Sequence, residues 1–194
     1  MAGLAAPWRL GVCAEALQLR LGGSGLVVSA PRLRLLRGKP LDRLHNGASV
    51  IFAFQLSALG DRPVSGAPSP RVLERVLDRF AISFDLWEEK FSVSRLSRPP
   101  RSVSHLTSAA AESWCLENLP LPTASLAPDR AFWIRLEVRA DDPKDRSPLL
   151  EEPGISLARL IELFSGPSRS GQASWLVDDG PFRLGDLTGA KGRG

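Results

Sequence analysis

Residues 79–93 read RFAISFDLWEEKFSV, and this stretch decides the predicted fold. Large apolar side chains occupy alternate positions on both sides of residues 86–89, which read LWEE. Alternation with a period of two is typical of a half-buried strand, because successive side chains point to opposite faces. The apolar positions are Phe80, Ile82 and Phe84 before this interval and Phe91 and Val93 after it. The stretch therefore predicts an antiparallel hairpin with its tip at residues 86–89.

Further strand patterns lie on both sides of this hairpin. Turn signals rich in glycine, proline and asparagine separate them, which favours antiparallel hairpins over long crossovers. The predicted strands are Leu17–Leu21 and Leu26–Leu36, joined at Gly22–Gly25; Ala48–Leu59, after the turn signal Asn46-Gly47; Ala131–Arg139; and a last hairpin of Ala173–Val177 and Phe182–Leu184 that turns at Asp178–Gly180.

Helical spacing of apolar residues indicates a few short helices. Three alanines and an apolar stripe favour a helix at His105–Leu116. Ser156 suits the cap of another helix that extends to Phe164. Residues 72–80, which follow Ser69-Pro70, also fit helical spacing. The predicted fold class is mainly β, with α+β as the alternative: an antiparallel, β-sandwich-like sheet with two short helices.

The length of 194 residues and the hydrophobic content of 43% suit a single domain with its own core. We expect one strand-rich domain at residues 14–187 and a disordered tail at residues 188–194. Residues 1–13 do not read as a signal peptide, because Arg9 interrupts them and no positively charged start precedes them. We interpret them as the remnant of a targeting region. No apolar stretch reaches the roughly twenty residues that span a bilayer.

The net charge of +4 and the isoelectric point near 9.7 raise the question of nucleic-acid binding. The arginines are dispersed among acidic residues, however, and the densest group, Arg32, Arg34 and Arg37, includes two that alternate with leucines as on the solvated face of a strand. Phosphate binding needs several cations that converge on one groove. We therefore do not expect a nucleic-acid partner.

The common enzyme and metal motifs are absent from the sequence. There is no GxSxG, and the glycine-rich residues 22–25 lack the lysine of a P-loop. A zinc site needs ligands at short, fixed spacings in the sequence, which the two cysteines, Cys13 and Cys115, and the two histidines, His45 and His105, lack. No catalytic residue, metal site or cofactor is therefore predicted. The cysteines either form one disulfide in an oxidising compartment or, as we favour, are both small buried residues.

The predicted hairpin tip carries the one cluster of candidate functional side chains. Asp85, Glu88 and Glu89 surround Trp87 there. Paired carboxylates suit acid–base chemistry or a hard cation such as calcium, and an exposed tryptophan suits a partner surface or a sugar ring. In the simplest interpretation, the acids are solvated turn residues and Trp87 packs over a helix. All four residues are taken as candidate binding residues.

The same stretch, residues 79–93, resembles the central hairpin of bacterial proteins grouped as domain of unknown function 4390. The resemblance extends over about residues 14–140: Leu44–Gly47 precedes an apolar strand, a helix follows the hairpin, and a strand like Phe132–Val138 comes next. The loop Gly60–Pro70 and the C-terminal third match poorly. Members commonly carry an N-terminal signal or anchor, which implies a location in the periplasm or cell envelope. This chain departs from the family in that segment, which leaves a cytoplasmic location open.

Two functions remain in competition at this point. The first is a non-enzymatic cell-envelope module that binds a protein, a lipid or a glycan, as the missing motifs and the tip tryptophan indicate. The alternative is a carboxylate-based hydrolase or cation-binding enzyme, in which Asp85, Glu88 or Glu89 acts with His45 or His105. The resemblance implies no activity, ligand or cofactor for either.

Overall fold

The computed structural model describes residues 17–64, 69–141 and 173–189. Within them, eight strands and three helices follow in the order β1 (Gln18–Gly22), β2 (Gly25–Ser29), α1 (Lys39–His45), β3 (Val50–Leu59), β4 (Val72–Asp85), β5 (Lys90–Arg95), β6 (Arg101–Leu106), α2 (Ser108–Glu117), β7 (Ala131–Ala140), β8 (Ser174–Arg183) and α3 (Leu184–Gly189). β1 and β2 form a two-stranded sheet, and the other strands form a six-stranded sheet in the order β6-β5-β4-β3-β7-β8. All pairings are antiparallel, which confirms the predicted mainly β, antiparallel fold class.

The hairpin predicted from residues 79–93 is confirmed as β4 and β5. Ile82 lies opposite Val93, and Phe84 lies opposite Phe91. Their rings and branched side chains share one face of the sheet, since paired residues in an antiparallel ladder point the same way. The pairing ends with Asp85 opposite Lys90, which leaves residues 86–89 as the tip.

The core lies between one face of the six-stranded sheet and a layer made of β1, β2 and α2. Phe52, Phe54 and Leu56 on β3 are fully buried there, together with Leu26 and Val28 on β2. Reciprocal backbone hydrogen bonds of 2.8 Å between Leu26 and Leu121 fix the two-stranded sheet to the loop after α2. The small sheet is therefore docked through both apolar packing and main-chain bonds.

Residues 72–80 form the first half of β4, so the helical prediction there is wrong. β4 pairs with β3 from Val72 opposite Leu59 to Ile82 opposite Val50. The core-facing positions of this half include Glu74 and Asp78, in register with Ala58 and Phe54, and these polar residues hide the period-two pattern. Asp78 is buried and accepts hydrogen bonds from Ser97 Oγ at 2.8 Å and from the backbone N–H of Arg79 at 2.7 Å. The buried Asp78 carboxylate, which has hydrogen-bond partners, therefore occupies a position where the period-two pattern would require an apolar residue.

The predicted return strand Leu26–Leu36 ends early, at Ser29. Pro31 cannot donate a ladder hydrogen bond, and the Leu33 N–H turns back to the carbonyl of Ala30 at 3.0 Å. Leu35 is still fully buried, so its apolar character reflects core packing rather than strand structure.

The end of the chain also differs from the prediction. The residues Asp178–Gly180 lie inside the single strand β8 and not at a hairpin turn. The register shifts there between Phe132 and Ile134, and Gly180 has φ 138°, which glycine tolerates. A side chain at Gly180 would come within 2.8 Å of the Trp133 ring, so the bulge requires glycine.

The helices also differ from the prediction. The helix predicted at His105–Leu116 begins at Ser108, where Thr107 Oγ1 accepts the N–H of Ala110, and the residues before it form the edge strand β6. α1 and α3 were not predicted, and α3 includes Thr188 and Gly189 from the predicted tail. The predicted segment 1–13, the helix from Ser156 to Phe164 and the rest of the tail at 190–194 lie outside the described residues. The domain boundaries 14–187 stay a prediction.

Candidate functional site

The tip between β4 and β5 presents two large apolar side chains to solvent. Trp87 is 97% exposed and Leu86 is 56% exposed. The alternative in which Trp87 packs over a helix is therefore wrong. An isolated exposed apolar residue is ordinary on protein surfaces. Two adjacent ones at the end of a hairpin form a small exposed apolar patch. We call Leu86 and Trp87 the apolar tip.

Asp85 holds the backbone of this tip in a defined turn. Its Oδ1 accepts the N–H of Trp87 at 2.8 Å and the N–H of Glu88 at 3.1 Å. This is the arrangement in which an aspartate caps its own turn. The N–H of Glu88, then that of Trp87, and the nearby charge of His105 hold the pKa of the Asp85 carboxyl below its ordinary value. The Asp85 carboxylate therefore stabilises the turn in its ionised form.

The tip is strained at the position where it rejoins β5. Glu89 has φ 53°, in the left-handed region that costs a non-glycine residue about 1 kcal/mol. Because the two Asp85 bonds and the pairing of Asp85 with Lys90 fix the residues on both sides, the turn keeps this conformation. The result is a preformed projection rather than an unstructured loop.

The edge strand β6 contributes a histidine to the same surface. His105 Nε2 lies 2.9 Å from Glu88 Oε2, and its Nδ1 lies 2.9 Å from Ser104 Oγ. Both partners of the pair are more than half exposed, so the ion pair that forms when the imidazole is protonated contributes about 1 kcal/mol or less. The sequence placed His105 at a helix start and named it, with His45, as a possible partner of the tip carboxylates; the structure puts His105 on β6, beside Glu88.

The other histidine lies apart from this pair. His45 is exposed at the end of α1, and its ring lies against Phe84, with 4.7 Å between the ring centroids. Phe84 in turn contacts Phe91 at 4.8 Å. His45 therefore packs on Phe84, one residue before Asp85, and within the described part of the chain it forms no ion pair with the carboxylates at the tip. Of the predicted residues, Asp85, Trp87, Glu88 and Glu89 share the tip, and His105 joins them.

Cys115 lies in the hydrophobic core on α2 with a free thiol. Burial raises the pKa of the Cys115 thiol, and the nearby Glu112 carboxylate raises it further. The thiol therefore stays protonated and acts as a small apolar residue, which agrees with the favoured alternative for this one of the two cysteines. Cys13 lies outside the described residues.

Within residues 17–64, 69–141 and 173–189, no group of three or more His, Cys, Asp or Glu side chains is placed to hold a metal ion. Over those same ranges, no helix combines the length and the apolar character that crossing a bilayer requires.

Comparisons with known protein families, with curated proteins and with solved structures find no match for this chain. The resemblance to domain of unknown function 4390 accordingly stays a prediction.

Proposed function

We propose that the protein is a non-enzymatic binding module of the cell envelope, which engages its partner through the apolar tip. The single observation that carries this proposal is the nearly complete exposure of Trp87 on a turn with a fixed backbone. The extracytoplasmic location rests on the resemblance of residues 79–93 to an envelope-associated family. The tip itself supports the binding role independently of that resemblance.

Burial of the apolar tip would contribute a substantial favourable term to binding. A tryptophan that becomes buried removes about 150–250 Å² from water, which corresponds to roughly 4–6 kcal/mol of gross transfer free energy. Because the Asp85 bonds already order the turn, less conformational entropy is lost when the partner binds. Tryptophan is among the residue types most often found at the centre of a binding hot spot.

The surroundings of the tip limit the partner's chemistry. Glu88 and Glu89 follow Trp87 directly, and His105 lies beside Glu88. Carboxylates next to the ring disfavour insertion into an anionic lipid surface. They suit a protein pocket with a polar or basic rim, or a glycan whose hydroxyl groups donate to the carboxylates while a sugar ring stacks on Trp87.

The enzymatic alternative has weaker support at this site. Oδ1 of Asp85 already accepts two turn hydrogen bonds, and Glu88 faces His105. The tip is also a projection, whereas catalytic groups normally work in concave, water-excluding sites. These features favour recognition over acid–base chemistry.

The test uses 5-fluorotryptophan labelling, which gives each tryptophan its own ¹⁹F signal. The Trp87 signal is assigned from the Trp87→Phe variant, and Trp175, which packs on Phe52, serves as an internal control. We expect solubilised envelope proteins or purified cell-wall glycan to shift or broaden the Trp87 signal selectively, and phosphatidylglycerol vesicles to leave it unchanged.

Two variants complete the experiment. Trp87→Ala should abolish retention of the component that perturbs the Trp87 signal, whereas Leu176→Ala, at a 59% exposed position on the edge strand β8, should leave retention unchanged. Equal retention by wild type and Trp87→Ala would refute the proposal. A selective response to the anionic vesicles would refute the choice of partner class.

A further inference from the structure

Residues 31–39, which follow β2 and lead into α1, carry a concentrated positive charge. Their sequence is PRLRLLRGK, and no acidic residue occurs between Glu15 and Asp42. Four of the 25 lysines and arginines of the chain lie in this stretch, and the 21 others equal the 21 acidic residues in number. The stretch therefore accounts for the whole net charge of +4. We call residues 31–39 the basic segment; its cations are Arg32, Arg34, Arg37 and Lys39.

The basic segment separates its apolar side chains from its cations, although it is not a strand. β2 ends before it, at Ser29. Leu33, Leu35 and Leu36 are buried in the hydrophobic core. All four basic side chains are exposed. The leucines therefore attach the segment to the protein and leave its whole charge at the surface.

Hydrogen bonds hold the main chain of the basic segment in place. The N–H groups of Leu35 and Leu36 both donate to the Glu112 carboxylate on α2. The Arg34 guanidinium donates to two carbonyls of its own segment, at 2.8 Å each. Because the backbone that presents the cations is already ordered, less conformational entropy is lost when a partner binds.

Nearby carboxylates compensate only part of this charge. Glu112 contacts the segment through the two N–H groups, and Asp42 follows the segment on α1. In the part of the chain that the structure describes, none of the four basic side chains forms an ion pair with these or any other carboxylates. Even when Glu112 and Asp42 are both counted against the segment, half of its charge remains. Charge complementarity therefore favours an acidic partner.

The residue types of the basic segment distinguish between kinds of acidic partner. The segment has no aromatic residue on which the bases of a single-stranded nucleic acid could stack. Its leucines are buried, so it has no exposed apolar side chain to insert into a lipid layer. Three of the four cations are arginines, whose planar guanidinium groups bind carboxylates through paired N–H donors. These features favour a partner that presents carboxylates.

We propose that the basic segment binds an acidic peptide segment of a partner protein. Carboxylates of that peptide accept hydrogen bonds from the exposed guanidinium groups and from the Lys39 ammonium group. The proposal does not rest on the function proposed for the apolar tip, because the two surfaces share no residue and differ in chemistry. Either one can therefore fail its test without affecting the other.

The test titrates the ¹⁵N-labelled protein with deca-glutamate and follows the amide signals of Leu33, Leu35 and Arg37. A glycine–serine peptide of the same length has no side-chain charge, and a thymidine oligonucleotide and phosphatidylglycerol vesicles present phosphate instead of carboxylate. We expect saturable shifts with deca-glutamate that weaken as salt is added, because the ion pairs are exposed to solvent. The neutral peptide should cause no shifts, and the oligonucleotide and the vesicles should bind more weakly than deca-glutamate.

Variants assign the binding to the basic segment. Arg32→Gln and Arg37→Gln should each raise the deca-glutamate dissociation constant about threefold, and the double variant about tenfold, as expected of exposed ion pairs. The melting temperature should not change, because both side chains are exposed. The matched control combines Arg75→Gln with Arg101→Gln: it removes the same charge from exposed positions on the six-stranded sheet and should leave the affinity within about twofold of wild type.

Three results would each overturn the proposal. The first is an unchanged affinity in the double variant of the basic segment, and the second is an equal loss in the control double variant. The third is tighter binding of the oligonucleotide or of the vesicles than of deca-glutamate, which would assign the segment to a different class of partner.

Discussion

The backbone N–H of Leu35 donates to Glu112 Oε1 at 2.6 Å, although the two residues are 77 positions apart in the sequence. The neighbouring N–H of Leu36 donates to the same oxygen at 2.9 Å. Glu112 is buried on α2, so one carboxylate oxygen satisfies two main-chain donors of a segment that has no strand partner. The contact explains how residues after β2 can be buried without a regular ladder.

Replacing Glu112 should therefore destabilise the protein strongly. We expect Glu112→Ala to lower the free energy of unfolding by about 3 kcal/mol, because two buried N–H groups lose their acceptor. Glu112→Gln keeps an acceptor oxygen and should cost about 1 kcal/mol. Urea denaturation measures both. Glu117→Ala, at an exposed position of the same helix, is the control and should change stability by less than about 0.5 kcal/mol. Equal effects of the Glu112 and Glu117 variants would contradict this role.

Truncation of Trp87 and truncation of Trp175 should have different effects on the free energy of unfolding. Trp87→Ala should leave the free energy of unfolding within about 0.5 kcal/mol of wild type, because the side chain is almost fully exposed. Trp175→Ala should cost about 2 kcal/mol, because its ring packs on Phe52 with 6.0 Å between centroids. Thermal denaturation of the two variants makes the comparison. A large loss in Trp87→Ala would show that Trp87 is part of the core.

The conformation of the tip should depend on pH through Asp85. Its pKa is held below the ordinary value of 3.8, so the turn bonds favour the ionised form. Their contribution is complete above that ordinary value and is lost as the pH falls through the lowered pKa. We expect the amide signals of Trp87 and Glu88 to shift in this acidic window in an NMR titration, while core amides stay fixed.

Two Asp85 variants separate the charge from the hydrogen bonds. Asp85→Asn keeps an acceptor oxygen and should retain the turn but lose the acidic transition of these two amides. Asp85→Ala should lose both, with increased mobility of the tip and little change in global stability. An unshifted titration of Asp85 in the wild-type protein would show that the turn bonds do not form in solution.

Cys115 should be unreactive in the folded protein. Burial raises the pKa of its thiol, so very little thiolate is present and the sulfur is inaccessible. In a Cys13→Ser background, modification by a thiol reagent at mildly alkaline pH should be about a hundredfold or more slower in buffer than in concentrated urea. The absorbance of the released chromophore gives both rates. Rapid labelling of the folded protein would mean that α2 opens easily.

The strands that were predicted correctly are those whose alternation of apolar and polar residues matches the burial of their two faces in the folded protein. Alternating residues in β5 and β7 predicted those strands because one face of each meets the core. β6 was missed since it lies at the sheet edge, where Ser102 and Ser104 need no apolar alternation. The first half of β4 was misread because Asp78 occupies a core-facing position, which its hydrogen bonds and its ion pair with Arg95 make possible.

The same distinction applies to the candidate sites. Asp85, Trp87 and Glu88 are neighbours in sequence, so their association at the tip could be predicted from the hairpin alone. His105 reaches the tip only through the pairing of β6 with β5. Such long-range associations depend on strand order, which local patterns do not specify.

The central position of β3 also has a consequence for synthesis on the ribosome. β3 is buried on both faces and pairs with β4 on one side and with β7, Ala131–Ala140, on the other. A nascent chain that has passed β4 therefore carries an apolar strand with one open edge until β7 emerges. Such an edge is a template for pairing with other chains. Chains truncated before residue 140 should consequently aggregate, and the ribosome-bound protein should depend on holdase chaperones until β7 is complete.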